Sequence, residues 1–190
     1  MARPRNFVEE EVVRAVMMTF WRLGYDATTY RELQKITGLG LRSLSNAFGE
    51  KDELFVTVLR AYRVMMKGML DSFLEGADLE ALAQFFEAIA APSEGEDDIR
   101  REGCLMVNSV FELTNMSDPV AAEVTAYRAM FIERFRDVLT QSGVDDVETK
   151  AEYLLGSTWG IFSQIRLAKD PVAAQPMARM LADIVRSWAQ

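Results

Sequence analysis

The sequence of 190 residues contains no histidine, one cysteine and five prolines. The absence of histidine removes the commonest metal ligand and the commonest general base of enzymes. The single cysteine, Cys104, excludes a disulfide within the chain. No apolar run has transmembrane length, and residues 1–11 pass from basic to acidic without the apolar segment of a signal peptide. We therefore expect a cytoplasmic protein that uses no cofactor, no metal and no catalytic site.

The charge of the chain is negative overall but unevenly distributed. The formal net charge is −8 at pH 7, which by itself argues against a nucleic-acid partner. Residues 1–51 nevertheless carry eight basic and six acidic side chains, whereas residues 52–190 carry 13 basic and 23 acidic ones. Because phosphate binding depends on the charge of the contacting face, an acidic body is compatible with a DNA-binding N-terminal part.

Apolar residues recur at helical spacing along the whole chain, and 49% of the residues are hydrophobic. No segment shows the strict alternation that is typical of a half-buried β-strand. The sequence therefore predicts an all-α fold. The first helix is expected to begin after Asn6 and stop at Gly24, and the others to cover about 29–37, 41–47, 52–74, 79–91, 103–115, 118–139, 148–167 and 171–188.

The most informative segment is 28–54, which predicts two short helices joined by a glycine turn and followed by a long helix. Thr29 and Glu32 have the spacing of a capping box, and Gly38 supplies a left-handed conformation that ends the first short helix. Two short helices with apolar anchors and a tight turn are the elements of a helix-turn-helix. The predicted inward residues are Leu33, Ile36, Leu44 and Phe48.

This segment resembles the helix-turn-helix of the tetracycline-repressor (TetR) family of regulators. The identical positions are Thr29, Gly38, Leu44, Phe48, Lys51 and Leu54, and Leu33, Leu39 and Asp52 match by type. The chain departs from the family pattern at the turn serine, a glycine, a tyrosine and a histidine, which are replaced by Gly40, Arg42, Ser45 and Ala47. The resemblance implies a DNA-binding domain over 1–51 and a ligand-binding and dimerisation domain over 52–190.

The resemblance implies that the second short helix enters a major groove. Its outward residues are then Leu41, Arg42, Ser43, Ser45 and Asn46. Arg42 suits guanine, Asn46 suits adenine and Ser43 is a permissive reader, whereas Thr28, Thr29, Ser45 and Lys51 are expected near phosphates. Arg3 and Arg5 form a basic arm that either contacts DNA or is merely solvated. The alternative is that all of these residues form only the solvent-exposed side of a three-helix bundle.

Methionines and aromatic residues of the C-terminal part are candidates for a small-molecule pocket, since thioethers adapt to varied shapes. Each of these residues could also belong to the hydrophobic core without lining a pocket. Asn108 stands out because a buried amide needs a polar partner. The candidates are Met65, Met66, Met69, Phe85, Phe86, Cys104, Met106, Asn108, Phe111, Tyr127, Trp159 and Phe162.

Cys104 follows Gly103 near two arginines, at the predicted start of a helix, a setting that lowers a thiol pKa. Electrophile- or oxidant-sensing members of the family carry a cysteine in a similar Gly-Cys-Leu context. A lone cysteine more often acts as an inert small apolar residue, and we favour that interpretation.

The last two helices are expected to form the dimer interface, because the resemblance implies a four-helix contact between two subunits. Gly156 and Gly160 leave one helix face nearly bare, so that another helix can approach closely. A palindrome read at successive major grooves, roughly 34 Å apart, needs two copies of the reading helix. The predicted interface residues are Leu155, Gly156, Trp159, Gly160, Ile184 and Trp188.

These patterns together predict a homodimeric repressor that leaves a palindromic double-stranded operator when a small-molecule inducer binds. The competing hypothesis is an all-helical ligand-binding protein or enzyme whose helix-turn-helix is only bundle packing. An activator or a corepressor-dependent regulator is a third hypothesis. Neither the effector nor the operator follows from the sequence.

Overall fold

The computed structural model describes residues 9–113 and 116–189, and these residues form nine α-helices and two 3₁₀ turns without a β-strand. This confirms the all-α prediction. The α-helices are α1 (Glu9–Leu23), α2 (Tyr30–Thr37), α3 (Leu41–Phe48), α4 (Lys51–Leu74), α5 (Leu79–Ile89), α6 (Leu105–Glu112), α7 (Asp118–Gln141), α8 (Val147–Ala168) and α9 (Gln175–Arg186), and the 3₁₀ turns are Ile99–Glu102 and Pro171–Ala174.

Among the described residues the predicted boundaries hold to within a few residues, and the largest differences are at α6 and α9. The helix predicted over 103–115 is shorter, because Gly103 adopts a φ of 69° and the chain turns there before α6 begins. A Cβ at Gly103 would lie 2.6 Å from the carbonyl oxygen of Phe162, so glycine allows this close approach to α8. The predicted start of the last helix at Pro171 is a 3₁₀ turn instead. The predicted Asn6 cap, the arm with Arg3 and Arg5, and residues 114–115 lie outside the described residues.

Helices α1–α3 form a small group that we call the head. Leu33 and Leu44 are its buried anchors from α2 and α3, and Gly38 ends α2 in a left-handed conformation with a φ of 68°. The hydroxyl of Thr29 accepts a hydrogen bond from the backbone N–H of Glu32 at 3.3 Å, which supplies one arm of the predicted capping box. The prediction for Ile36 was wrong: it is 41% exposed, because this short helix buries only one narrow strip.

Helix α4 belongs to the cores of both the head and the remaining helices, α4–α9, which we call the body. Its N-terminal half packs on α1 and α3, where Phe55 meets Phe20 edge to face with ring centroids 4.9 Å apart. Helix α4 also packs on α5, α6 and α7, and Met66 and Leu70 in its C-terminal half are buried. A displacement of α4 therefore acts on both groups of helices.

The body is held by α7 at its centre and by α9 lying along α5. Aromatic rings from α5 and α7 pack against one another, with Phe86 and Phe135 5.8 Å apart between ring centroids. Within the described residues, no helix combines the length and apolarity needed to cross a bilayer.

Candidate functional site

The outward side of α3 forms a polar surface that we call the reading face: Leu41, Arg42, Ser43, Ser45 and Asn46. Four of these side chains are exposed, and that of Ser45 is partly covered. On the opposite side Leu44 and Phe48 are buried at 1% and 7% exposure, which fixes the rotation of the helix. Gly40 occupies the N-cap without a side-chain hydrogen bond, so the first turn of α3 presents uncapped backbone N–H groups beside Arg42.

The predicted phosphate contacts differ in their exposure. Thr29 is exposed while its hydroxyl caps α2, and so it remains able to donate. The prediction for Thr28 was wrong, because its side chain is fully buried. Its hydroxyl donates to the carbonyl oxygen of Gly24 at 2.7 Å, and its backbone N–H donates to Tyr25 at 3.2 Å. Thr28 therefore closes the loop between α1 and α2 and does not reach the surface.

Lys51 stands at the junction of the head and α4, in a small polar cluster with Tyr25 and Asp52. Its ammonium lies 4.2 Å from the centroid of the Tyr25 ring, and the hydroxyl of Tyr25 hydrogen-bonds to Asp52. Partial burial lowers the pKa of Lys51, while burial and the Asp52 carboxylate raise the pKa of Tyr25. The cluster ties the loop before α2 to the first turn of α4.

A cavity of about 410 Å³ opens beside α4, and we call it the apolar cavity. Two larger hollows, of about 470 and 560 Å³, are lined at least half by charged or polar residues, so the apolar cavity is the better site for a small organic ligand. Its walls come from α1, α4, α5, α8 and the segment between α5 and α6. They consist of Trp21, Tyr62, Met65, Met66, Met69, Phe73, Phe85, Ala88, Ile89, Ala91, Arg100, Gly103, Phe162 and Ile165.

The structure divides the predicted pocket residues into two groups. Met65, Met66, Met69, Phe85 and Phe162 line the apolar cavity. The others are not part of its wall: Phe86, Cys104, Met106 and Tyr127 are fully buried in the core, and Trp159 is partly covered on α8.

Two of the pocket predictions are corrected by their surroundings. Phe111 is 71% exposed, because it lies on the outward side of the last turn of α6, beyond the buried residues 105–109. Asn108 is buried, but its amide donates to the carbonyl oxygen of Glu102 at 2.9 Å, so the chain itself supplies the partner that the amide needs.

Sequence reasoning missed Trp21 as a cavity residue. It lies in the last turn of α1, four residues after the buried Met17, so the signal was an apolar stripe that continues one turn further. The ring of Trp21 meets that of Tyr62 edge to face at 5.0 Å and an interplanar angle of 85°.

The single thiol lies between two tyrosines behind the cavity wall. The hydroxyls of Tyr62 and Tyr127 each lie 3.2 Å from Sγ of Cys104, and all three side chains are fully buried. Burial raises the pKa of the Cys104 thiol, and burial also raises the pKa of both tyrosines. The burial of the thiol supports the interpretation of Cys104 as a small apolar residue.

Two ion-pair groups join α4 to α7, and we call them the α4–α7 clamp. Glu123, which is 7% exposed, accepts hydrogen bonds from the Nε atoms of Arg60 and Arg63 at 3.0 Å each. Further along, Arg134 pairs with Asp71. Helical geometry places the clamp residues of α4 on the side opposite to the cavity-lining residues Met65, Met66 and Met69. The apolar cavity therefore lies against the face of α4 that the clamp does not hold.

The predicted dimer residues on α8 and α9 also divide into two groups. Gly156 is exposed with open space around it, and Trp159, Gly160, Ile184 and Trp188 are partly exposed. The prediction for Leu155 is corrected, because this residue is 4% exposed and packs inside the subunit. Gly160 accommodates the end of the Met177 side chain of its own chain. Exposed apolar side chains near this face are Tyr153, Leu167, Met177 and Met180.

The reading face, the glycine turn and the long connecting helix together define a helix-turn-helix regulator. No protein-family model matches the chain. The transcriptional repressor ComR of Escherichia coli is 32% identical over 142 residues, which cover 73% of this chain and 67% of ComR. The transcriptional repressor BdcR of the same organism is 38% identical over 60 residues, which cover 32% of this chain and 30% of BdcR.

Solved structures show the same fold over nearly the whole chain. A cysteine variant of the TetR family regulator CifR, in complex with 26-base-pair operator DNA, superposes with a TM-score of 0.79 at 23% identity, covering 98% of this chain and 100% of CifR. Reduced NemR of E. coli superposes with a TM-score of 0.79 at 14% identity, and the match covers 90% of this chain and 93% of NemR. The chain belongs to the TetR family of transcriptional regulators. The prediction that it is not an enzyme is confirmed by these relatives.

Proposed function

We propose that the chain is a repressor that binds a palindromic double-stranded operator as a homodimer and leaves it when a small molecule occupies the apolar cavity. The observation that carries this proposal is the reading face. Leu44 and Phe48 anchor α3 while Arg42, Ser43 and Asn46 stay exposed on one side. Arg42 suits guanine edges and Asn46 suits adenine edges, and Thr29, Ser45 and Lys51 contact phosphates. The relatives ComR and BdcR are transcriptional repressors.

We propose that residues 1–51 bind DNA and that residues 52–190 bind the effector and form the dimer. Two copies join through the exposed faces of α8 and α9, around Gly156 and Met180, and this pairing presents two reading faces to successive major grooves. The acidic charge of the body keeps it away from the duplex.

Release follows from the position of α4, which borders both the head and the apolar cavity. In this proposal α4 has two positions, one in the operator-bound protein and one in the released protein. A ligand that binds better to the released form shifts the population of molecules toward it. Because α4 begins directly after the head, this shift changes the separation of the two reading faces. The coupling is reciprocal, so operator DNA weakens effector binding by the same factor.

Fluorescence anisotropy tests the proposal with duplexes from the region upstream of the protein's own gene and with duplexes selected from a random library. We expect binding of one dimer to a palindrome, with an affinity that falls steeply as salt rises. The Met180→Glu variant should dissociate into monomers in sedimentation experiments and lose operator binding, whereas Val64→Glu, at a similarly exposed position on α4, should retain both. A monomeric wild-type protein, or one that ignores every duplex, would overturn the proposal.

Reporter expression in a strain that lacks the gene distinguishes repression from activation. Loss of the protein should raise transcription from the target promoter. An unchanged or lower level would support the activator or corepressor-dependent alternative.

A further inference from the structure

Trp21 belongs to the head and to the wall of the apolar cavity at the same time. It lies in the last turn of α1, is 7% exposed and packs edge to face on Tyr62 of α4. The other cavity residues come from α4, α5, α8 and the segment between α5 and α6. Trp21 is therefore the point at which a molecule in the cavity touches the head itself.

The indole of Trp21 has an unmet hydrogen-bonding requirement. Its Nε1 atom is closed off from solvent and has no hydrogen-bond acceptor among the described residues. Burying an indole N–H without an acceptor is unfavourable, and most buried tryptophans find one. Because Nε1 is covered, a ligand that carries an acceptor supplies the missing partner by displacing the atoms that cover the indole N–H.

The remaining wall of the apolar cavity restricts the class of ligand further. Three methionines of α4, Met65, Met66 and Met69, line the cavity together with aromatic side chains, and thioether and ring contacts both favour a flat aromatic molecule. Among the residues that the structure describes, Arg100 is the one charged side chain in the wall, and no acidic residue lines it. The guanidinium is held in place by Asp98, with Nη2 2.6 Å from Oδ2, and by the carbonyl oxygen of Pro92 at 3.1 Å. A cationic group in this cavity would find no lining carboxylate to neutralise it, and this disfavours cationic ligands.

We propose that the apolar cavity binds a compact aromatic compound whose polar group is a hydrogen-bond acceptor or a single negative charge, and that this compound contacts the head directly through Trp21. The inference rests on the proposed function, because it names the effector class of that repressor. Its consequence is a second route of response: the ligand changes the end of α1 as well as the position of α4.

Isothermal titration calorimetry with two matched probes tests the ligand class. The aromatic anion 2-naphthoate should bind the wild-type protein, and the cation 2-naphthylmethylammonium should bind at least tenfold more weakly. Met65→Glu places a negative charge in the cavity wall and should weaken 2-naphthoate binding by tenfold or more. Val64→Glu, on the neighbouring and more exposed position outside the wall, should leave it unchanged. Absence of 2-naphthoate binding, or equal binding of both probes, would overturn the ligand class.

The Trp21→Phe variant tests the contact with the head, since it keeps an aromatic ring and removes the N–H. The affinity for 2-naphthoate should fall about three- to tenfold, the ratio expected for one hydrogen bond. In the wild type 2-naphthoate should slow amide hydrogen exchange at the end of α1, and in Trp21→Phe this protection should disappear. Equal affinity and equal protection in both proteins would overturn the contact. Operator binding without probe is measured on the same samples, so failure of the proposed function is seen separately.

Discussion

The guanidinium of Arg166 in α8 donates a hydrogen bond to the backbone carbonyl oxygen of Trp21 at 3.2 Å. The last carbonyl groups of an α-helix have no partner within the helix, so this bond caps the C-terminal end of α1 with a residue of the body. Arg166 also pairs with Glu102 and lies 3.7 Å from a carboxylate oxygen of Glu112. Glu112 in turn accepts a hydrogen bond from the backbone N–H of Tyr25 at 3.1 Å. The head is therefore held to the body at the end of α1 as well as through α4.

Replacing Arg166 with methionine should loosen the attachment of the head. The variant keeps much of the side-chain volume but removes the donors to Trp21 and Glu102. We expect the free energy of unfolding to fall by about 1–3 kcal/mol, the range for hydrogen bonds that involve a charged group. Amide exchange in the last turn of α1 should accelerate. Arg179→Met, which changes an exposed arginine of α9, should leave both measurements near wild type. Unchanged exchange in α1 would contradict the role of Arg166.

Arg42 and Lys51 should affect operator binding in different ways. Arg42→Ala should cost about 1–3 kcal/mol at the base pair that it reads and relax the preference there, because a bidentate contact to guanine is lost. Lys51→Ala should weaken binding to all duplexes alike and reduce the salt dependence of the affinity, because a phosphate contact is lost. Anisotropy titrations over a set of single-base operator variants at two salt concentrations separate these outcomes. An Arg42→Ala protein with unchanged base preference would contradict the reading face.

Helical periodicity predicted the fold because almost every helix buries one continuous apolar strip. It failed where a residue's environment depends on distant parts of the chain. Phe111 has an apolar side chain in an apolar run, but it lies on the outward side of α6 and is 71% exposed. Trp21 extends the stripe of α1, yet only the approach of α4, α5 and α8 makes it part of a cavity.

Polar residues were the hardest to place from the sequence. Glu123 interrupts the apolar stripe of α7, and a carboxylate in such a position is normally assigned to the surface. It is buried because Arg60 and Arg63, about 60 residues earlier, neutralise it. The position of Thr28 before α2 predicted a phosphate contact. Its hydroxyl instead donates a hydrogen bond to the carbonyl oxygen of Gly24, four residues earlier. The spacing of apolar residues along the chain does not reveal these partners.

Weakening the α4–α7 clamp should change both stability and the response to ligand. Glu123→Gln removes a charge that two guanidinium groups share in a mostly buried position, so we expect the free energy of unfolding to fall by about 1–3 kcal/mol. Since the clamp opposes displacement of α4, less effector should be needed for release from the operator. Denaturant titration and anisotropy at increasing 2-naphthoate measure the two effects. Glu133→Gln, at an exposed position of α7, is the matched control. A destabilised variant with unchanged ligand response would show that the clamp is only structural.

Asp98 should make stability dependent on acid pH. The Arg100 guanidinium and the backbone N–H groups of Arg100 and Glu94 lower the pKa of Asp98 from 3.8 to about 2. A lowered folded-state pKa stabilises the fold above the unfolded value and loses that contribution as the pH falls from about 4 to about 2. Asp98→Asn should therefore be less stable by about 1–2 kcal/mol at pH 7, and the difference should shrink across this window. Thermal unfolding at several pH values measures it, with the exposed neighbour in Asp97→Asn as control. A difference that persists at pH 2 would contradict the assignment.

Cys104 should be unreactive as long as the protein is folded. Its thiol is fully buried between the hydroxyls of Tyr62 and Tyr127, and burial raises its pKa, so it stays protonated at neutral pH. Iodoacetamide at pH 7.5 should modify it only as fast as the protein unfolds, and full modification should require denaturant. Ser72→Cys adds an exposed thiol on α4 that should react at once and verifies the reagent. Cys104→Ser retains a hydroxyl between the tyrosines and should keep operator binding and its response to 2-naphthoate. Rapid modification of the native wild-type thiol, accompanied by release from the operator, would restore thiol sensing as the mechanism.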